Sequence, residues 1–388
     1  MENQRFVLGN VPRVHFFEGG KRCPEDIIIP SVVRAVLEYL GDEDYGCKHC
    51  PVHGQACKVF CTYAHLVGVS GAAAFLSWKE GWHGDNVALF YMDADPGAVE
   101  RHIFEAIGYA YEEVMKEIGR DNEAVFRQRI IESIDRGMPV LAYGVIGPPE
   151  PSIITGYDEG GDVLIGWNFF QNFPDFNAGV EFEPRVAGQH GYFRKRDWFK
   201  DTENLLVIGE RQPKPSLPEI SRDALRWLVK VARTPMVRPE PDAPEHYRQR
   251  HNGLAAYDAW ADHLLRDAEW PAADEATLRA HHRIHEDAVG AVAEARWYGS
   301  VFLAEITEHF AAGPNYRGAS GHVLHAAACY ATEHDLMWQI WGLAGGIGNP
   351  DAFRALADPA KRRAMAEIIR QARDEDAKAV DYFEQALQ

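Results

Sequence analysis

The segment IIESIDRGMPVLAYGVIGPPEPSIITGYDEGGDVLIGW (Ile130–Trp167) predicts the fold of the first half of the chain. Its apolar residues first recur at helical spacing, and the helical pattern ends at Gly137. Three apolar runs with strand character follow, over 139–146, 152–157 and 163–169. The residues DEGGD between the last two runs are typical of a hairpin turn. The segment therefore predicts a helix followed by antiparallel strands.

The flanking sequence extends this pattern on both sides. Residues 205–209 predict a later strand of the same antiparallel sheet. Upstream, the spacing of apolar residues predicts helices over about 30–40, 97–118 and 122–136, and a helix or turn over 62–75.

A second, helical half follows a proline-rich segment. Pro213, Pro215 and Pro218 stand within six residues, which predicts a stiff connector rather than a regular element. Long helical patterns then occur at about 219–233, 245–268, 273–312, 320–344 and 352–386. The sequence therefore predicts an α+β domain over 1–212, a linker over 213–218, and an all-α helical domain over 219–388.

Composition narrows the classes of partner. The chain has 388 residues, and 40 Lys and Arg against 58 Asp and Glu give a formal net charge of −18. That sign argues against a nucleic-acid partner and against a lipid surface. No apolar run approaches the roughly 20 residues of a membrane span, and the first residues, MENQR, lack the plan of a secretion signal. We expect a cytoplasmic protein, and the sequence leaves open a homo-oligomer.

The hairpin residues ITGYD (154–158) and GDVLI (161–165) resemble the butirosin biosynthesis protein H-like family, which is related to double-glycine-leader cysteine peptidases. The run VSGAAAF (69–75) is similar to the opening part of the same family. The resemblance implies a papain-like cysteine-peptidase-type domain followed by a helical domain. It also implies a thiol-dependent acyltransferase or amide-handling enzyme. Its substrate would be a small molecule or an acyl group on a carrier.

The resemblance also implies catalytic positions. Cys23 is the candidate nucleophile, five residues before the place where the family spacing puts its cysteine. Glu150 occupies the position of the family histidine, six residues before Gly156. Asn168 is the candidate orienting residue that follows the hairpin. The alternative is a catalytically silent papain-like protein that binds a small molecule or a partner in a cleft between the two domains.

Four further residues are candidates for contact with a ligand. Ser152, Tyr157 and Trp167 belong to the predicted hairpin, close along the chain to Glu150. Trp82 follows the small-residue helix in LSWKEGWHGDN, where an aromatic side chain on a glycine-rich loop either lines a pocket or caps the core.

The cluster GCKHCPVHGQACKVFC places Cys47, Cys50, Cys57 and Cys61 within fifteen residues. Thiolates at these spacings are able to wrap a zinc ion or an iron–sulfur cluster, although the two pairs are closer than in zinc ribbons. Reduced buried thiols and a disulfide or redox pair remain as the alternatives. His281 and His285 also share a helix face, as metal ligands do, and the competing interpretation is an ordinary helix histidine.

Overall fold

The computed structural model describes residues 5–16, 24–45, 61–117, 119, 121–184, 191–237, 250–271, 274–310 and 316–388. The helices are, in chain order, α1 (Ile28–Leu40), α2 (Thr62–Val69), α3 (Ala98–Ile107), α4 (Glu123–Asp135), α5 (Leu217–Arg233), α6 (Leu254–Leu265), α7 (Glu275–Ile306), α8 (Tyr316–Leu343) and α9 (Pro359–Ala386). The strands are β1 (Phe6–Val7), β2 (Ser77–Trp78), β3 (Tyr109–Met115), β4 (Val140–Tyr143), β5 (Pro151–Asp158), β6 (Val163–Trp167), β7 (Val180–Phe182), β8 (Phe193–Arg196), β9 (Asn204–Arg211), β10 (Met236–Val237) and β11 (Arg250–Asn252).

The main sheet of the described chain is antiparallel throughout. Its strand order is β3-β9-β4-β5-β6-β8-β7, and β1 pairs with the second half of β5, beside β4. All residues of β5 and β6 are buried. The β6 sequence VLIGW is accordingly a continuous apolar run, whereas β5 carries the buried polar residues Ser152, Thr155 and Asp158 among its apolar ones. Helices α1 and α4 pack against β5. The predicted antiparallel sheet and its hairpin are confirmed, as is the α+β class.

The prediction of one helix over 97–118 is wrong. Helix α3 ends at Ile107, and Gly108 follows with φ of +71°, a conformation that glycine adopts at little cost. The chain then continues as β3, which pairs with β9 along the edge of the main sheet. Pairing with a strand nearly a hundred residues later overrides the local helical spacing.

The chain divides into two compact units. The first comprises Met1–Tyr63 with Phe104–Lys214, and the second comprises Ala64–Ile103 with Pro215–Gln388. The junction after Lys214 falls inside the proline-rich segment 213–218. Residues 64–103, which the sequence analysis placed in a domain over 1–212, belong to the second unit.

Helices α6 to α9 form most of the second unit. Trp260, Val289, Met337 and Ile369, one from each of these helices, lie in one buried apolar cluster. The expectation of an all-α domain is wrong in one detail, because β10 and β11 form a three-stranded antiparallel sheet with β2. Strand β2 comes from the inserted segment 64–103, so these short pairings were not visible as a local pattern. No helix in the described part of the chain is both long enough and apolar enough to cross a membrane.

Candidate functional site

Asn168 and Ser152 form a buried pair where β6 ends and β5 begins. The Nδ2 atom of Asn168 donates to Ser152 Oγ at 2.9 Å and to the carbonyl oxygen of Ile146 at 3.2 Å. Its Oδ1 atom accepts the backbone N–H of Phe170 at 2.7 Å, and its own backbone N–H donates to Gln171 Oε1 at 3.0 Å. Ser152 and Asn168 are almost fully buried. The Asn168 side chain thus uses both its donor and acceptor atoms to build the chain reversal after β6.

Glu150 lies directly before β5, at the end of the connection from β4. Its backbone N–H donates to the carbonyl oxygen of Pro148 at 2.6 Å, and its own carbonyl oxygen accepts from Gly144 at 3.3 Å. The residue is half-buried. The side-chain partners of Asn168 are Ser152 and main-chain groups, so Asn168 and Glu150 are not joined by a hydrogen bond.

Phenylalanines cluster beside the chain reversal after β6, a grouping that is not among the residues predicted from the sequence. The Phe16 ring packs edge-on against Phe169, Phe170 and Phe173, with ring centroids 5.0, 5.1 and 5.7 Å away. Phe176 extends the group through Phe170, at 5.3 Å. We call these five residues the phenylalanine cluster. Phe169 is buried, whereas Phe173 is 43% exposed, so the cluster presents an apolar face to solvent. The spacing FFxxFxxF over 169–176 was the available signal.

A glycine and a histidine border the phenylalanine cluster. Gly147 has φ of +78°, and a Cβ atom there would lie 2.9 Å from the Phe170 ring, so the β4–β5 connection requires glycine. His15 directly precedes Phe16, and its Nδ1 atom lies 2.7 Å from the Phe16 carbonyl oxygen. The imidazole of His15 is therefore next in the sequence to one member of the cluster, Phe16, although both residues are far in the sequence from the hairpin.

Tyr157 and Trp167 lie inside the first unit, each with its polar atom engaged. The Tyr157 hydroxyl donates to Asp135 Oδ1 at 2.8 Å, and burial together with this hydrogen bond raises the pKa of Tyr157 to about 12. Trp167 Nε1 donates to the carbonyl oxygen of Val11 at 3.0 Å. These two candidate ligand-binding residues thus tie β5 to α4 and β6 to the N-terminal segment.

Trp82 belongs to the second unit, unlike the hairpin residues. Its ring stacks on His281 with centroids 5.4 Å apart and meets Trp270 edge-on at 4.7 Å. Its Nε1 atom donates to Glu269 Oε2 at 2.6 Å. The half-buried Trp82 is thus one member of an aromatic group within that unit.

The cysteine predictions fall mostly outside the described residues. Cys23, Cys47, Cys50 and Cys57 all lie there, so the candidate nucleophile and the candidate metal cluster remain sequence-based predictions. Cys61 is described as half-buried, immediately before α2. Within the described ranges, no group of three or more His, Cys, Asp or Glu side chains is arranged to hold a metal ion.

The turn after β6 thus combines the buried Asn168–Ser152 hydrogen bond with the apolar face of the phenylalanine cluster, and Glu150 stands two residues before Ser152 in the chain. Such a surface suits a ligand with an apolar group next to a polar or reactive one. Comparisons with models of protein families and with curated proteins find no match for this chain.

Proposed function

We propose that the chain is a papain-like, butirosin H-like protein that transfers an acyl group through a cysteine thiol. Cys23 is the proposed nucleophile, and Glu150 is the proposed acceptor of the proton released in the second step. The proposal rests on the family resemblance of the hairpin and on the packing of α1, the helix that follows Cys23 in the chain, against β5. The observation on which the proposed reaction depends is that Glu150 lies directly before β5, at the position where the family has a histidine.

Glutamate in the histidine position favours a thioester as the acyl donor. In the first step, the Cys23 thiolate attacks the donor carbonyl, a new thioester forms on the protein, and the donor thiol leaves as a thiolate. This exchange needs no general acid, whereas an amide donor would have to be protonated at its leaving nitrogen. In the second step, an amine attacks the acylated cysteine, the amide forms, the cysteine thiolate is regenerated, and Glu150 accepts the amine proton.

The phenylalanine cluster supports an apolar acyl group. The exposed Phe173 side chain and its half-buried neighbours would remove an aryl or alkyl chain from water. The imidazole of His15, the residue directly before Phe16, is a second candidate for the proton acceptor.

Intact mass spectrometry of the full chain tests the proposal. Wild-type protein incubated with a benzoyl thioester of a small thiol should gain one acyl group, and Cys23→Ala should gain none. Glu150→Gln should still become acylated but should pass the acyl group to an added amine more slowly. His15→Gln tests the second candidate for the proton acceptor in the same assay. Cys329 is the internal control, because burial and the nearby Glu375 raise the pKa of its thiol to about 12 and keep it protonated. Acylation of Cys23→Ala at the wild-type rate would refute the assignment of the nucleophile.

The second candidate function is binding without catalysis. One observation favours binding without catalysis. The Asn168 side chain forms its hydrogen bonds with Ser152, Ile146 and Phe170, and it forms none with a candidate catalytic base. A catalytically silent protein would bind the same thioester or its carboxylic acid with unchanged affinity in the Cys23→Ala variant, and no acyl-protein would form. Calorimetric titration of both proteins separates the two functions.

A further inference from the structure

A fully buried ionic cluster joins helices α6, α7, α8 and α9 of the second unit. Arg296 of α7 donates through Nε to Glu333 Oε2 at 3.1 Å and through Nη2 to Asp376 Oδ2 at 2.7 Å. Nη2 also donates to the Tyr257 hydroxyl at 2.8 Å, and Nη1 donates to two main-chain carbonyl groups. The five N–H groups of the guanidinium therefore all have acceptors. Tyr257, Glu333 and Asp376 come from α6, α8 and α9.

The charges of this cluster do not balance. Arg296, Glu333 and Asp376 are each 0% exposed, and two ionised carboxylates beside one guanidinium would leave one buried negative charge. Burying a charge without a partner is strongly unfavourable, and such a group takes up a proton instead. The guanidinium cannot give its proton away, so the adjustment falls on the carboxyl groups.

The hydrogen bonds indicate which carboxyl group carries the proton. Asp376 makes the shorter bond to Arg296, as expected of the ionised partner. Glu333 Oε2 accepts from Arg296 and from the Tyr257 hydroxyl at 2.9 Å, while Glu333 Oε1 and Asp376 Oδ1 both lack a hydrogen-bond partner among the described residues. Either carboxyl group therefore has an oxygen available for the proton, and the shorter bond of Asp376 to Arg296 assigns the proton to Glu333. Burial raises the pKa of Glu333 well above its ordinary value and raises that of Asp376 as well.

Besides Arg296, one cation among the described residues acts on the pair, because Arg373 lowers the pKa of Asp376, although by less than burial raises it. The titratable and charged groups that face the two carboxyl groups are Tyr257 from α6, Arg296 from α7, Cys329 and Tyr330 from α8, and Arg373 from α9. The tyrosine and cysteine side chains are neutral at neutral pH, since burial raises the pKa of each. Arg373 is itself paired with Asp374 at 3.0 Å and with Asp258 at 3.5 Å, so it does not neutralise the second carboxyl group.

We propose that Glu333 and Asp376 hold one proton between them at neutral pH, with Glu333 as the carboxylic acid, and that release of this proton at alkaline pH loosens the helical unit. Folding raises the pKa of the pair, so at any pH above the ordinary pKa of a glutamate the folded unit holds one proton that the unfolded chain has lost. The contribution of this proton to the stability of the helical unit is complete at low pH. Above that pKa, the folding equilibrium constant falls by about tenfold for each pH unit of increase.

Hydrogen exchange of the full chain tests this proposal, read in peptides from α8 and α9. Glu333→Gln replaces the carboxylic acid by a neutral group of the same shape. We compare the protection factor of Glu333→Gln with that of the wild type at each pH. The ratio of the two factors should rise about tenfold per pH unit between about pH 6 and 8, because only the wild type must take up a proton when it folds. Glu367→Gln, an exposed change on α9, is the matched control and should follow the wild type at every pH.

Parallel profiles of Glu333→Gln and the wild type would overturn the proposal. If Glu333→Gln does not fold, the infrared spectrum of the wild type at pH 8 decides, because it should contain the carbonyl stretch of a buried carboxylic acid. Burial raises the pKa of Asp287 to about 6, so that group is ionised at pH 8 and does not produce the band. Absence of the band would mean that no proton is held. The double variant Glu333→Gln with Asp376→Asn leaves Arg296 without a counter-charge and should lose protection at every pH.

Discussion

The hydroxyl of Tyr157 donates a hydrogen bond of 2.8 Å to Asp135, which joins the middle of the main sheet to α4. Tyr157 is the fourth residue of the ITGYD run on which the family resemblance rests. The bond gives that residue a role in stability, since it secures the register of the hairpin against the helix that precedes it.

Tyr157→Phe should lower the free energy of unfolding by about 1 kcal/mol at neutral pH, because one hydrogen bond is lost. The pKa of the folded phenol is about 12, above its ordinary value of 10.0. Its contribution is therefore complete below pH 10 and is lost as the pH rises towards 12. Urea unfolding at several alkaline pH values should show a smaller loss of stability in Tyr157→Phe than in the wild type, because the variant lacks this one phenol. An equal loss in both proteins would contradict the assignment.

Asn168→Ala should destabilise the first unit by about 3 kcal/mol, since it leaves three buried polar groups without a partner. Ser152→Ala should cost only about 1 kcal/mol, because Asn168 keeps its two main-chain partners. Denaturant unfolding of the two variants measures the difference. Equal effects, or a stable Asn168→Ala protein with altered activity alone, would argue against a role of Asn168 in building the turn.

His285→Phe should reduce the sensitivity of the second unit to acid. Trp260 Nε1 donates to His285 Nδ1 at 3.1 Å, and burial, followed by the nearby His282, lowers the pKa of His285 to about 3. The stability of a base with a lowered pKa is complete above its ordinary value of 6.5 and is lost as the pH falls towards 3.

In His285→Phe the Trp260 indole N–H loses its acceptor, which should lower the free energy of unfolding by about 1–2 kcal/mol independently of pH. The variant should nevertheless lose less stability in acid than the wild type. Tryptophan fluorescence during acid titration follows this difference. The exposed His325→Gln is the control, and a titration of His285→Phe identical to that of the wild type would contradict the prediction.

Phe173→Ala should weaken binding of an aryl thioester by about tenfold, which corresponds to the loss of one partly buried aromatic contact. Phe182→Ala is the matched control, because Phe182 is 44% exposed against 43% for Phe173 and lies in the same unit on β7. Both changes should alter stability only slightly. Equal affinities of the two variants, measured by calorimetric titration, would remove the phenylalanine cluster from the proposed binding surface.

Local patterns in the sequence were sufficient for α1, α4, the β5–β6 hairpin and the long helices after Pro215. Each of these elements depends on the spacing of apolar residues and on turn residues a few positions away. The same information failed at α3 and β3, where the strand forms because β9 supplies its partner. It also failed for residues 64–103, which pack with a part of the chain that begins more than a hundred residues later.

Tertiary structure alone decided which side chains meet. Phe16 contacts the FFxxFxxF run although the two are far apart in the sequence. Arg296 binds side chains from three other helices. No spacing rule encodes such encounters, because they depend on how whole elements pack. The sequence by itself determined the antiparallel hairpin and the helical second half, since these follow from interactions between near neighbours. The turn built by Asn168 and the pairing of two buried carboxyl groups with Arg296 exist only because folding removes those groups from water and limits the partners they can reach.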